Sequence, residues 1–318
     1  MLNSAIIGTG SYLPARIMLN KELEELVQTS DEWIISRTGI RQRHIAADGE
    51  FTSAMAANAG KKAIESAGLT PADIDLIIVA TTTPDKTFPA TAVITQSLLG
   101  IKQAAAFDVQ AVCAGFIYAI SVADCMVRSG GAKNALIIGA DKMSSIVDWT
   151  DRGSCILFGD GAGAVVLSAS KNGNGILGFD LNSDGDYRDI LHTNGGVATT
   201  GTSGKLVMLG KEVFKHAIDK MGGSLLNLLE KSGINKSEID WLIPHQANER
   251  IIDSLAQRLD FPQEKIIKTV GNHANTSAAS IPLALDNGVA SGEVKPGNLV
   301  AITAIGGGLS WGSCIFRV

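Results

Sequence analysis

Aromatic residues are scarce in this chain, at 5% of 318 positions, and charged residues make up only 19%. Neither shortage removes the capacity for a large core, because hydrophobic residues still supply 45%. Positive charge is in deficit: 27 Lys and Arg stand against 32 Asp and Glu, a net charge of −5. A broad nucleic-acid-binding surface is therefore not expected, and an acidic partner needs a local basic patch. No apolar run reaches the ~18 residues of a membrane-spanning helix, so no membrane partner is expected. The opening MLNSAIIGTGSYLP lacks the basic and long apolar regions of a secretory signal. Four cysteines, Cys113, Cys125, Cys155 and Cys314, show no paired spacing of the kind that holds a metal. A reduced, cytoplasmic setting is the expectation, with no metal site. Two glycine clusters, GTGSYLP (8–14) and FGDGAGAVVL (158–167), lack the third glycine or the following helix of a dinucleotide fingerprint. Both are read as turns, and no nucleotide cofactor is expected.

Glycine is abundant, at 35 residues, which suits tight strand–helix connections. The chain also echoes itself. Segments 63–80 (AIESAGLTPADIDLIIVA) and 228–245 (LLEKSGINKSEIDWLIPH) align without a gap at an offset of 165. Each reads as a helix end, a glycine suited to a left-handed cap (Gly68, Gly233), a polar turn, then Ile-Asp before an apolar strand. GGAKNALIIGA, ending at Ala140, resembles VKPGNLVAITA at 294–304, and VCAGFIYAIS falls opposite TSAASIPLAL. Three echoes at nearly one offset imply a duplicated α/β unit: 1–171 and 172–318, joined through the turn-rich KNGNG at 171–175. Near-continuous apolar runs at 76–81, 135–140, 164–170, 241–244 and 299–306 predict strands covered on both faces. Helices are predicted at 52–67, 90–100, 114–129, 211–232, 247–259 and 277–291. Two such halves packed face to face place their site at the seam.

Cys113 stands where a strand-like stretch gives way to an apolar helix. A helix start favours thiolate, and sulfur suits thioester exchange because attack and departure are nearly balanced. A small buried hydrophobe is the competing reading, and Cys125 is assigned to it. His245 directly follows the strand WLIP, the position at which α/β sites gather. Asn275 sits among small residues before a helix and could serve as an N-cap. The offset sets His245 opposite Ala80 and Asn275 near the mate of Cys113, which converges all three on one centre. His273 is read as structural. The run AIGGGLSWG (304–312) offers unhindered N–H groups that, with that of Cys113, could form an oxyanion hole.

Together GTGSYLP, SDEWIISRTGI, FPATA, AFDVQAVCAGF, FGDGAGA, PHQANERII, GNHANTSAAS and GGGLSWGS resemble the β-ketoacyl-acyl carrier protein synthase III family of type II fatty-acid synthesis, across essentially the whole chain. The resemblance implies a thiolase-like, five-layered αβαβα fold and a homodimer. It implies a ping-pong condensation between an acyl-CoA, typically acetyl-CoA, and malonyl-acyl carrier protein. Cys113 would carry the acyl group, and His245 and Asn275 would stabilise the malonyl enolate. Gly307, with the Cys113 amide, would form the oxyanion hole. Trp33, Arg37 and Arg152 match the family's coenzyme A contacts, and Phe88 a residue bounding the acyl pocket across the dimer. Arg250 and Arg258, a helical i, i+8 pair, could share one face with nearby Lys215 and offer an acidic carrier protein the local basic patch it needs. Three positions depart from the family: Ala274 stands for a common Gly before Asn275, Ile305 for a common Phe, and Glu249 adds a negative charge beside Arg250. A related synthase using another acyl starter is the alternative.

Overall fold

The computed structural model describes residues 3–170 and 175–318. The 171–174 junction lies outside the described residues. The first sheet has five strands: β1 (Asn3–Tyr12), β2 (Leu76–Ala80), β3 (Ala105–Val109), β4 (Asn134–Lys142) and β5 (Asp160–Ser170), in the order β1-β5-β4-β2-β3. The second comprises β6 (Gly175–Ser183), β7 (Trp241–Pro244), β8 (Leu299–Gly306) and β9 (Ser310–Arg317), in the order β7-β8-β9-β6. Read from its other end, the second order repeats β1-β5-β4-β2 of the first, and β3 has no counterpart in it. β2 pairs with β4 in parallel through Leu76↔Ala135, and β7 with β8 through Trp241↔Val300, which is the 165-residue offset to the residue.

The repeated sequence signals have repeated physical jobs. Gly68 and Gly233 both take a left-handed φ, 68° and 65°, that a side chain would oppose. The Asp75 carboxylate accepts the N–H groups of Lys133 and Asn134, and that of Asp240 accepts the N–H of Leu299, so each ties the start of one inner strand to its neighbour. Every residue of β2 and β8 is buried, as strands covered on both faces require.

The covering helices make the layers. Helices Gly115–Arg128 and Ser280–Ala290 lie between the two sheets, with a contact face to each. Thr52–Ser66 covers the first sheet from outside, and Gly210–Ser232, packed on Glu249–Leu259, covers the second. This is the five-layered αβαβα thiolase-like architecture.

Both glycine clusters read as turns prove to be strand. Gly8 and Gly10 lie in β1, where a Cβ would come within 2.5 and 2.4 Å of the backbone of Ala63. Gly163 lies in β5, where one would come within 2.5 Å of the Leu283 nitrogen. Helices lie directly on these strands, and close backbone approach, rather than a turn, is what requires glycine.

Candidate active site

The two halves meet at a pair of matching elbows. A 3-10 turn over Val112–Ala114 leads into the Gly115–Arg128 helix, and another over Ser277–Ala279 leads into Ser280–Ala290. The first residue of each turn has a strained positive φ, 49° at Val112 and 52° at Ser277. Cys113 and Ala278 are therefore mates, 165 residues apart. A Cβ placed on Gly115 would lie 3.2 Å from that of Ala80 and 3.7 Å from that of Ala278, so the elbows touch.

Symmetric folding has produced asymmetric chemistry. Where the first half packs Ala80 against Gly115, the second places their mates, His245 and Ser280. His245 Nδ1 lies 2.6 Å from the Ser280 hydroxyl, which also accepts the Gln246 N–H at 3.3 Å. No other acceptor takes the Ser280 proton among the described residues, so it is assigned to Nδ1, and the Nε2 of His245 keeps its hydrogen as a donor. Burial holds His245 down at a pKa of about 4, so the imidazole is neutral at pH 7.

Asn275 is fixed from both halves. Its N–H donates to Leu157 at 2.9 Å and its carbonyl accepts from Gly159 at 3.1 Å. Its Oδ1 accepts the Ser277 N–H at 2.9 Å, which leaves the Nδ2 donors for the cavity. Ala274, before it, has φ 58° and ψ −163°, a region open essentially to glycine alone. Relief of this strain exceeds the entropy cost of a glycine. Ala274→Gly is expected to raise stability by roughly 1 kcal/mol, measured as an increased denaturation midpoint; an unchanged or lower midpoint counts against strain at this residue.

Cys113, His245 and Asn275 line one cavity of about 550 Å³. Cys113 is buried, and burial pushes its thiol up to about 12, opposed by the Ser277 hydroxyl and reinforced by the Asp141 carboxylate. Burial thus works against the thiolate expected at a helix start, and the resting thiol is neutral. Gly306 lies against the Cys113 amide, since a Cβ there would come within 2.6 Å of that nitrogen. Gly307 follows it at the end of β8, pressed against the Leu191 carbonyl.

Other predicted residues are distributed around the mouth. Trp33 and Arg37, on the Asp31–Thr38 helix, line the cavity, and the Arg152 guanidinium stacks 4.8 Å from the Trp33 ring. Arg250 also lines it, 5.8 Å from the Phe214 ring, with Lys215 exposed one residue beyond Phe214. Arg258 is not brought to the mouth: it is paired with Asp219 at 3.2 Å, two turns along its helix. Glu249 does not turn toward Arg250 but faces Lys268 at 3.8 Å, where the helix N-terminus also favours its charge. Ile305 is buried and lines the cavity. Phe88 stands outside it, 82% exposed.

Comparison with known proteins decides the family. A family model described as 3-oxoacyl-[acyl-carrier-protein (ACP)] synthase III matches residues 107–185, and one for its C terminal matches 229–318. A β-ketoacyl-[acyl-carrier-protein] synthase III of Wolbachia pipientis wMel is 57% identical, with 100% of both chains covered. The chain belongs to the β-ketoacyl-[acyl-carrier-protein] synthase III family. Solved synthases III from Aquifex aeolicus VF5 and Pseudomonas aeruginosa PAO1 share the fold with TM-scores of 0.95 and 0.94. They are 47% and 40% identical, covering 99% of this chain in each case and 100% and 98% of theirs. Within this synthase III chain, Ser280, Ser277, Gly306 and Asp141 are site neighbours that motif reading passed over. All four carry a signal in the offset: Ser280 is the mate of Gly115, Ser277 of Val112, and Gly306 and Asp141 of each other.

Proposed function

We propose that this chain condenses an acyl-CoA, with acetyl-CoA as the first choice, with malonyl-acyl carrier protein to give 3-oxoacyl-acyl carrier protein, the step that initiates type II fatty-acid synthesis. It is an acyl-transferring condensing enzyme, and the observation that carries the mechanism is the convergence of Cys113, His245 and Asn275 on one cavity. The Cys113 sulfur attacks the thioester carbonyl. Its new C–S bond replaces that to coenzyme A, and the thiol proton passes to the departing coenzyme A sulfur. The N–H groups of Cys113 and Gly307 hold the transient oxyanion. Malonyl-carrier protein then enters. Its carboxylate leaves as carbon dioxide, and the bonding pair moves into an enolate held by His245 Nε2–H and Asn275 Nδ2–H. The enolate carbon attacks the acyl-enzyme, the C–S bond to Cys113 breaks, and the sulfur is reprotonated from solvent. No cofactor enters this reading, because coenzyme A arrives as part of the substrate.

Coenzyme A fits the Trp33–Arg152 stack at the mouth, with adenine entering against the Trp33 ring and Arg37 nearby for phosphate. Arg250 and Lys215 supply the local positive charge an acidic carrier requires, and Arg258 joins them only by leaving Asp219. The homodimer is supported by the edge position of β3 and by Phe88, a large apolar residue left mostly exposed. A cytoplasmic location accords with the four free cysteines. Among the described residues, no helix is long and apolar enough to cross a membrane.

Mixing the protein with acetyl-CoA and malonyl-carrier protein is expected to yield the 3-oxobutyryl-carrier protein by mass spectrometry, with one coenzyme A released for each carbon dioxide. Acylation of Cys113 without any product from the malonyl-carrier protein contradicts the reading.

A further inference from the structure

Asp141 is buried one residue before the end of β4, and its carboxylate has an unusual set of donors for a residue outside the reacting trio. Five converge on Oδ1: the hydroxyls of Thr81 (3.1 Å), Thr82 (2.9 Å) and Thr83 (3.0 Å), and the N–H groups of Thr82 (2.8 Å) and Thr83 (3.2 Å). Oδ2 accepts the Ala278 N–H at 3.1 Å. Ala278 is the mate of Cys113, and its N–H is the mate of the amide that faces the substrate oxyanion. The sheet registers identify the mate of Asp141 as well. Asp141 pairs with Gly161 on the inner antiparallel ladder of the first sheet, as Gly306 pairs with Ser310 in the second. The duplicated fold thus contains two elbow amides. At one, Gly306 leaves the space beside Cys113 N–H open; at the other, the Asp141 carboxylate fills it.

We propose that Asp141 is a positioning residue for the decarboxylation half of the reaction, a built-in anion that locks the second elbow so that Asn275 presents its amide to the malonyl thioester. The inference rests on the function proposed above. One residue before Ala278, the Ser277 N–H holds Asn275 Oδ1, and Ser277 is held at a φ of 52° that the chain would otherwise relax. Freeing Ala278 N–H frees Ser277, and with it the aim of Asn275 Nδ2. The same carboxylate anchors the 81–83 segment leading to Phe88, so the partner-facing loop and the elbow share one fixed point. Acylation of Cys113 uses its own amide and Gly307, neither of which Asp141 touches. Asp141 is also the charged side chain acting on the Cys113 thiol, which it pushes up, while His245 lines the same cavity in its neutral form and Ser277 offers a hydroxyl.

Asp141→Asn keeps the shape, and its remaining oxygen can serve the threonine donors. Its NH2 then meets the Ala278 N–H, donor against donor. Single-turnover release of carbon dioxide from malonyl-carrier protein by the acetylated variant is expected to fall roughly ten- to a hundredfold, with acyl transfer from acetyl-CoA to Cys113 changed less than about threefold. The pH profile of Cys113 alkylation by iodoacetamide is expected to move to lower pH, because a negative charge that opposes the thiolate is gone; a role in packing alone moves neither the split nor the profile. Equal loss in both half-reactions, or no loss in either, overturns the assignment. Thr82→Val, at a half-buried residue, is the milder variant should Asp141→Asn not fold. It removes one donor and keeps the charge, so decarboxylation is expected to fall roughly two- to fivefold with the alkylation profile in place, and unaltered decarboxylation there overturns the assignment too. Wild-type protein that takes up no acyl label refutes the proposed function instead, and so separates the two failures.

Discussion

Cys113→Ala is expected to take up no acyl group from radiolabelled acetyl-CoA, with condensation reduced roughly 10⁴- to 10⁶-fold, as for loss of a covalent nucleophile. The wild-type thiol is buried and pushed up to about 12, so it attacks only as its proton leaves. The proposed step supplies what that requires: a departing coenzyme A sulfur to take the proton, and the amides of Cys113 and Gly307 to receive the oxyanion charge. Cys113→Ser should fail nearly as completely, because a hydroxyl is harder still to deprotonate and gives an ester less reactive toward the enolate. Folding is not at stake in either variant, since Cys113 sits at the cavity wall and the neighbouring helix is held by its own core residues. Labelling of Cys113→Ala at the wild-type rate defeats the assignment. The high thiol pKa adds a signature: alkylation of wild-type Cys113 should keep accelerating with pH beyond the ordinary thiol range.

Much of this site was legible because duplication repeats physical constraints, not only residues. Gly68 and Gly233 recur because both helix ends need a left-handed residue, and Asp75 and Asp240 because both inner strands need the same N–H groups capped. That offset also sets His245 and Asn275 at the Cys113 seam from the sequence alone. Misreadings arose where a residue type answers to more than one constraint. Gly8, Gly10 and Gly163 mimic turns locally, yet are demanded by helices that arrive from elsewhere in the chain. The helix start at Cys113 argues for thiolate, while burial, set by the second half of the fold, argues against it. Arg258 has helical spacing from Arg250, but Asp219, which engages it, lies on another helix. Asp141 carries no motif at all; its meaning emerges only when β4 is laid over β8.

The same split between the halves gives the second large effect. His245→Ala is expected to retain acylation of Cys113 to within roughly tenfold, while malonyl decarboxylation falls about 100- to 1000-fold, the typical cost of one donor to a developing oxyanion. Asn275→Ala should behave likewise, since both side chains direct donors at the same thioester oxygen. His245 serves as a neutral donor, and its orientation depends on Ser280 taking Nδ1. Burial depresses its pKa to about 4, so on acidification the folded protein resists a proton that the unfolded chain binds at about 6.5. The associated stability is present above the unfolded value and is lost as pH falls from there through about 4. Ser280→Ala frees Nδ1 and lets the ring adopt the other tautomer, so decarboxylation should fall while acylation persists. Measuring labelled carbon dioxide release beside acyl-enzyme formation separates the steps, and condensation retained in His245→Ala excludes the imidazole from enolate stabilisation. The oxygen that carries the negative charge changes between the two half-reactions: Cys113 and Gly307 serve the acyl carbonyl, His245 and Asn275 the malonyl thioester. One half of the fold supplies the nucleophile and the other the donors for the carbanion, so neither half on its own carries out the cycle.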